Sequence, residues 1–433
     1  MYNISIKYIQ GKLAFLESYQ IVHHWSRLAG IILFSLMVGL PFITRSGLSL
    51  IMLQCNIIWF LWIFTTPIED ITPISSWLIR MVGVNFLATT FSPLPIIAFK
   101  GLTKVIAYLS IYNLTTKLLT ESYLWWDRLV VGLLIGELIT TINVLFQIHN
   151  GTPQFARWVD PQSICHGIIR AYGTFDNPNL LSGYLIPLLP ISLITLLRWR
   201  GILLRCFAFI SFSLGILSIV FTYSRAGWIG AIASLSSLIL LLILHYKYKG
   251  SRPWQKLFSF MLIFSVSAVI LMGLMKIDSL NIRFTSLLVG RIDSSNNFRI
   301  NVWIASIKMI HNRFWYGIGP GNDIFNSVYP IYQQPKFNAL STYSILLEFL
   351  VAGGIPLFLV NLGLIYQSLR TGLQNLSGQS PWILPKIAAI SGIIGLLVQG
   401  IADTIFFRPE IQISWYFCLS TLTCSTIYDK RNP

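Results

Sequence analysis

Arg225 stands in the stretch TYSRAG (222–227), flanked by Tyr223, Ser224 and Gly227, and Arg299 opens RINVW (299–303), with Trp303 one helical turn later. A cation in a tight polar turn and a second in a long inter-span segment suit an anion, because guanidinium groups offer forked N–H donors to phosphate, sulfate, bicarbonate or a lipid headgroup. A third stretch, YGTFDNPNLLSG (172–183), reads as a helix start at Pro178. Asn177 or Asn179 can cap its first turn, and the positive end of that helix adds to the same preference. Arg313 and Lys336 extend the positive charge of this face. Simpler roles compete: Arg225 can be a helix-end side chain reaching for water, and the two asparagines can be caps and nothing more.

Carboxylates at membrane depth form a second group. Glu137 lies in VVGLLIGELITTINVLF, Asp403 ends an apolar run, and Glu348 lies in NALSTYSILLEFLVAGGIP (338–356). Each costs roughly 2.5–3.5 kcal/mol to insert, so each is a functional candidate. The sequence lacks a phosphate-binding Walker loop, an H-E-x-x-H pair, a nucleophile elbow and a dinucleotide fingerprint. Its six histidines and five cysteines show no metal-ligand spacing, and Cys165 is the only cysteine expected in a long external loop. The expectation is no metal, no cofactor and no nucleic-acid partner.

The elements that position these residues follow from composition. Of 433 residues, 55% are hydrophobic and 11% are charged, with mean hydropathy +0.68. Soluble domains carry about 25% charged residues, so lipid must be the solvent here. Apolar stretches of about 18–22 residues recur and suffice to cross a hydrocarbon core of about 30 Å. The reading is an all-α integral membrane protein with about twelve transmembrane helices, near 28–44, 48–66, 78–92, 95–115, 128–148, 178–197, 203–222, 226–245, 257–276, 342–366, 386–403 and 410–428. FSPLPIIAFKG marks the third and fourth as weak, with a broken or re-entrant helix as the alternative. No discontinuous helix pair is evident elsewhere.

The net charge of +16 is read as loop charge rather than nucleic-acid affinity. Arg198, Arg200, Arg205, Lys247, Lys249, Arg252, Lys256, Arg370, Lys386, Lys430 and Arg431 then fall on one side with Lys7, Lys12 and Arg27. That side is cytoplasmic, which puts both termini inside. No cleavable signal is expected before the first span. The organisation is therefore a cytoplasmic N-terminus (1–27), nine helices (28–276), a large external loop (277–341), and three helices with a cytoplasmic tail (342–433). In the loop, Ile300, Ile304, Ile307 and Ile310 recur at helical spacing, which predicts an amphipathic helix at the outer membrane surface, stopped by GIGPGND.

Four stretches in this order, GTFDNPN (173–179), TYSRAG (222–227), RINVW (299–303) with GIGPG (317–321), and LLEFLVAGGI (346–355), resemble the O-antigen ligase (Wzy-C) superfamily of bacterial envelope proteins. The resemblance covers about 170–360, and the N-terminal third matches only as hydrophobic spans. It implies an O-antigen ligase-like, GT-C-type architecture in which Arg299 handles the diphosphate of a lipid-linked sugar donor and Arg225 supplies a second cation. In these ligases a His-Asn pair activates the acceptor. Aligning VAGGI with the ligase VETGI puts Thr342-Tyr343-Ser344 there, and a phenol with an ordinary pKa of about 10 is a poor base near neutrality.

LSTYSI (340–345), followed by Leu347-Glu348, resembles the IctB branch of that superfamily, named for inorganic-carbon transport in cyanobacterial and plastid-lineage proteins. That branch implies transport or accumulation of bicarbonate across a bacterial inner (plasma) or plastid-type membrane. Arg225, Arg299, Trp303, Asn177 and Asn179 would bind the anion, with Tyr343 and Glu348 shaping the inner part of the site. Two readings result: a small-anion transporter, favoured by the missing His, and a ligase or polymerase using a lipid-linked glycan. A non-catalytic membrane protein keeping the fold is the third.

Overall fold

The computed structural model describes residues 25–65, 71–150, 170–248, 294–403 and 405–432. Among them the chain is helical, without strands. In order the helices are α1 (Trp25–Gly39), α2 (Arg45–Thr65), α3 (Pro73–Thr90), α4 (Pro95–Glu121), α5 (Leu124–Asn150), α6 (Pro178–Arg198), α7 (Ile202–Phe221), α8 (Arg225–Tyr248), α9 (Ser294–Asn312), α10 (Asn322–Val328), α11 (Ile345–Leu373), α12 (Ile383–Ile401) and α13 (Pro409–Arg431).

Eight of these, α2, α4 to α8, α11 and α12, are long and apolar enough to cross a membrane. Their outward faces carry large apolar side chains such as Leu50, Phe60, Ile202 and Leu203, the last 83% exposed, which only lipid can cover without cost. The protein is an integral membrane protein, but the structure does not supply all twelve expected spans. The expected ninth span, 257–276, lies outside the described residues, and α1 is short.

α3 and α13 form where spans were expected but fall short in apolarity. For α13 the reason is burial inside the bundle, where lipid sets no demand. Ser414, Ser420 and Thr421 are buried and return their hydroxyls to the carbonyls of Glu410, Tyr416 and Phe417 at 2.9–3.0 Å. Thr423 meets the Tyr112 hydroxyl of α4 at 2.8 Å. The weak third and fourth spans are two continuous helices joined by a turn at Phe91–Leu94, not a re-entrant segment. The bundle centre is α6, whose Leu180–Thr195 stretch is buried between α7, α8 and α12. Gly227 of α8 lets the first turns of α6 and α8 touch, since a Cβ there would come within 2.5 Å of Ser182 Oγ.

The discontinuity lies in α11, where the sequence signalled none. Gly353 (φ −138°, ψ 17°) and Gly354 (φ 64°, ψ −161°) interrupt the helix. The chain that precedes α10 seals the gap. Ile318 and Gly319 amides donate to the carbonyls of Val351 and Ala352 at 2.8 and 2.9 Å, and the Ile355 amide donates to the Phe314 carbonyl at 3.0 Å. The same loop leans on α4, where the Pro320 carbonyl sits over Gly101, and Ser92 Oγ donates to the Ile318 carbonyl at 2.5 Å.

A second, smaller core follows from this docking. Val302, Ala305 and Met309 of α9 pack with Ile318, Ile324, Phe325, Tyr329 and Val351. This corrects the surface-lying helix expected from the isoleucine stripe. α9 turns Val302, Ala305 and Met309 inward, while Ile307 is 57% exposed, because the stripe's partner is folded loop and not lipid. α9 also ends at Asn312, before GIGPG is reached. Substituting Gly354→Ala should lower thermal stability in detergent or nanodiscs by about 2 kcal/mol or more, since a Cβ would add left-handed strain and lie 2.5 Å from the Phe314 carbonyl. An unchanged melting curve would show the seal to be dispensable.

Candidate functional site

Where α6, α8, α9 and the segment before α11 meet, polar groups converge at one end of the bundle. The turn from α7 to α8 builds one wall. Thr222 Oγ1 donates to the Ile219 carbonyl at 2.6 Å, and Ser224 caps α8 by accepting the Gly227 amide at 3.2 Å. Tyr223 takes φ 51° to make this turn. Arg225, 5% exposed, therefore emerges from the first turn of α8, and its Nη2 donates to Asn296 Oδ1 of α9 at 2.8 Å. One turn further along α9 stands Arg299, which shares a face with Asn296 through its i, i+3 spacing.

Arg299 Nη2 reaches Asp403 Oδ2 at 3.5 Å, with 15% of the arginine side chain and 2% of the aspartate exposed. Among the described residues that long contact engages one of five guanidinium N–H donors. Trp303, a turn beyond, donates its indole N–H to the Tyr343 carbonyl at 3.2 Å. Tyr343 adopts φ 53°, and its ring meets Phe298 edge-on at 5.5 Å. Burial pushes the Tyr343 phenol up to about 12, the Asp403 charge adds to the rise, and Arg299 opposes it. Asp176, Tyr223 and Tyr343 all hold left-handed backbone near this site, a conformation rare for side chains of their kind.

Asn177 caps α6, accepting the Asn179 amide at 2.8 Å. Asn179 Oδ1 accepts from Arg170 Nη2 at 2.8 Å, while Arg170 Nε donates to the Thr222 carbonyl at 2.8 Å. Asn177 thus caps α6, and Asn179 gives its side-chain oxygen to Arg170, which ties α6 to the α7–α8 turn. Gln147 clamps the preceding strained segment, accepting the amides of Tyr172 and Gly173 at 3.0 and 2.9 Å. Glu348 does not join this cluster. It lines a separate cavity between α3, α4, α11 and α13.

The structure therefore brings Arg225, Arg299, Trp303 and Tyr343 together, uses Asn177 and Asn179 as scaffold, and leaves Glu348 apart. Sequence reasoning flagged Asp403 only as a charge at membrane depth and passed over Arg170 and Asn296. For Asp403 the missing information is its partner, 104 residues upstream. Tyr343 is a protonated phenol at neutral pH. Its raised pKa makes a contribution to stability that is complete below about pH 10 and is lost as pH rises through about 12. A Tyr343→Phe variant should accordingly lose phenolate absorbance near pH 12 in an alkaline difference titration. A loss centred near pH 10 would contradict the burial.

No curated protein matches the chain. Residues 188–362 match the family model described as O-antigen ligase, a stretch that contains Arg225, Arg299, Trp303 and Tyr343 and leaves Asn177, Asn179 and Asp403 outside it.

Proposed function

We propose that the protein is a membrane ligase or polymerase that transfers a glycan from a lipid-linked diphosphate donor to an acceptor hydroxyl. The observation that carries this is Arg299, a largely buried guanidinium with one 3.5 Å contact among the described residues, next to the Asn296 that holds Arg225. Arg225, held by Asn296, and Arg299, one turn further along α9 from that asparagine, put two guanidiniums on one wall, which suits a diphosphate better than a single small anion. The O-antigen ligase match over these residues supports the same substrate class.

In this reading the diphosphate displaces Asp403 from Arg299. The acceptor oxygen attacks the anomeric carbon, and the bond from that carbon to the diphosphate oxygen breaks. The leaving diphosphate keeps the electron pair beside the two guanidiniums, which stabilise its growing charge. The Asp403 carboxylate, released from Arg299, takes the hydroxyl proton, a role Tyr343 cannot fill while its phenol stays protonated. Trp303 and Tyr343 shape the wall. The site end of the bundle faces away from the cytoplasm, and 294–341 forms its outer cover.

Bicarbonate transport, the sequence-level favourite, gains less support. Broken helices in transporters lend unwound carbonyls to the cargo or its coupling ion. Here the carbonyls of Val351 and Ala352 are taken by Ile318 and Gly319.

The test is glycan transfer by the full chain in vesicles, with a lipid-diphosphate-linked oligosaccharide as donor, set beside bicarbonate uptake by the same vesicles. Arg299→Ala should cut transfer about 100-fold or more, and Arg299→Lys should recover only part. Asp403→Asn should lower kcat while leaving donor affinity intact or tighter. Bicarbonate uptake without transfer, or full transfer by Asp403→Asn, would overturn the assignment of reaction or base respectively.

A further inference from the structure

The cavity around Glu348 has a lining chemistry that the diphosphate site does not explain. Its volume is about 180 Å³, and it lies between α3, α4, α11 and α13 beneath Pro320–Asn322. Four primary amides line it, Asn85, Asn322, Asn361 and Gln412, and three of them donate from their N–H₂ to a backbone carbonyl. Asn85 donates to Met81 at 2.8 Å, Asn361 to Leu357 at 2.9 Å and Gln412 to Phe406 at 2.6 Å. A backbone carbonyl only accepts, so the amide orientation is fixed and the remaining polar atom of each is an oxygen. Asn85 and Asn361 are 4% and 7% exposed, yet no hydrogen bond among the described residues reaches either Oδ1 or the Glu348 carboxylate. Its one charged donor, Lys104, faces Asp323 at 3.5 Å and is well exposed.

Aromatic rings complete the wall. Tyr108 and Tyr416 stack at 6.0 Å, and Trp415 stands beside them. Planar acceptors with nothing to accept, set among ring faces, call for a ligand that brings many donors and an apolar flank. Glu348 and Asn361 are thirteen residues apart on α11, roughly 20 Å of helix rise with the break between them. A single metal ion needs its oxygen ligands within about 2.6 Å and cannot use acceptors spread over that length.

We infer that this cavity binds a neutral, hydroxyl-rich ligand, one or two rings at the end of a saccharide. The hydroxyls donate to the oxygens of Asn85, Asn361, Gln412 and Glu348, and the C–H faces lie on Tyr108, Tyr416 and Trp415. As the acceptor end of the transfer proposed above it rests on that reading; as a saccharide cavity it stands on its own lining.

The experiment is saturation-transfer NMR on the full chain in nanodiscs, with methyl hexosides and a neutral disaccharide as probes and a hexuronate as the anionic comparison. Neutral sugars should bind, and the hexuronate should bind at least about tenfold more weakly, because its carboxylate would be set against the Glu348 carboxylate and the amide oxygens. Asn361→Leu should weaken neutral-sugar binding about tenfold, and Tyr108→Phe, which keeps the ring stack, less so. Asn361→Asp keeps the shape and serves if Asn361→Leu fails to fold. Arg299→Ala should leave sugar binding unchanged. No binding of neutral sugars, equal binding of the hexuronate, or unchanged binding by the Asn361 variants would each overturn the inference, as would protection from unfolding by sodium salt where sugars give none. Sugar binding without any glycan transfer would remove the ligase reading and leave the cavity assigned. Transfer with an unaltered acceptor KM in Asn361→Leu would do the reverse.

Discussion

The three backbone hydrogen bonds across Gly353–Gly354 fix the rest of the arrangement. A helix broken at membrane depth exposes carbonyls and amides that lipid cannot satisfy, at several kcal/mol for each unmet group. Here the Ile318 and Gly319 amides and the Phe314 carbonyl meet that demand. The loop is consequently held to the span by an interaction that neither part can forgo. Gly317 and Gly354 permit it through positive φ, and a Cβ on Gly317 would come within 2.6 Å of the Ala352 backbone.

Once that seam is closed, the positions of both sites follow. The loop core of Val302, Met309, Ile318 and Tyr329 seats α9 over the ends of α8 and α12. From that seat Asn296 meets Arg225 and Arg299 meets Asp403. On the other side, Pro320–Asn322 roofs the Glu348 cavity. The seam therefore stands between an arginine-bearing wall and an amide-lined cavity, joined through the short stretch from Tyr343 to Ala352. A transfer reaction needs two such chemistries near each other, one for a leaving diphosphate and one for a hydroxylated acceptor.

The sequence was most legible where a single residue type forced the outcome. Apolar length predicted the eight long spans, and the asparagine before Pro178 predicted a cap. Arg225 stood out through the polar turn that flanks it and Arg299 through the order of motifs around it, although an ordinary helix-end role competed for Arg225. Legibility failed wherever a long-range partner decided the result. The isoleucine period in α9 was real, but the smaller Val302–Ala305–Met309 face found the loop core and left Ile307 outside. Asn179 looked like a ligand until Arg170 claimed its oxygen. GG in VAGGI gave no warning of a break, since glycine pairs also occur inside continuous helices and only the loop amides make interruption affordable. Glu348 shared its helix with Tyr343 but not its pocket, a separation that spacing along one chain does not reveal.

Arginines elsewhere in the molecule show why identity alone did not mark the site. Arg198, at the far end of α6, grips both oxygens of Asp127 at 2.7 and 2.9 Å and gives a third donor to the Pro381 carbonyl at 2.9 Å. Arg408 forks onto Glu410 at 3.2 and 3.0 Å. Both are scaffold, because their donors are committed in the geometry that a carboxylate and a guanidinium prefer. Arg299 is as shielded as Arg198, at 15% against 14% of the side chain exposed, yet among the described residues it makes one contact at 3.5 Å. A desolvated guanidinium with most donors idle is costly unless something else occupies them. On the proposed reading an anion of at least two acceptor oxygens restores the balance, and the displaced Asp403 carboxylate stands beside it as base for the hydroxyl that attacks the anomeric carbon.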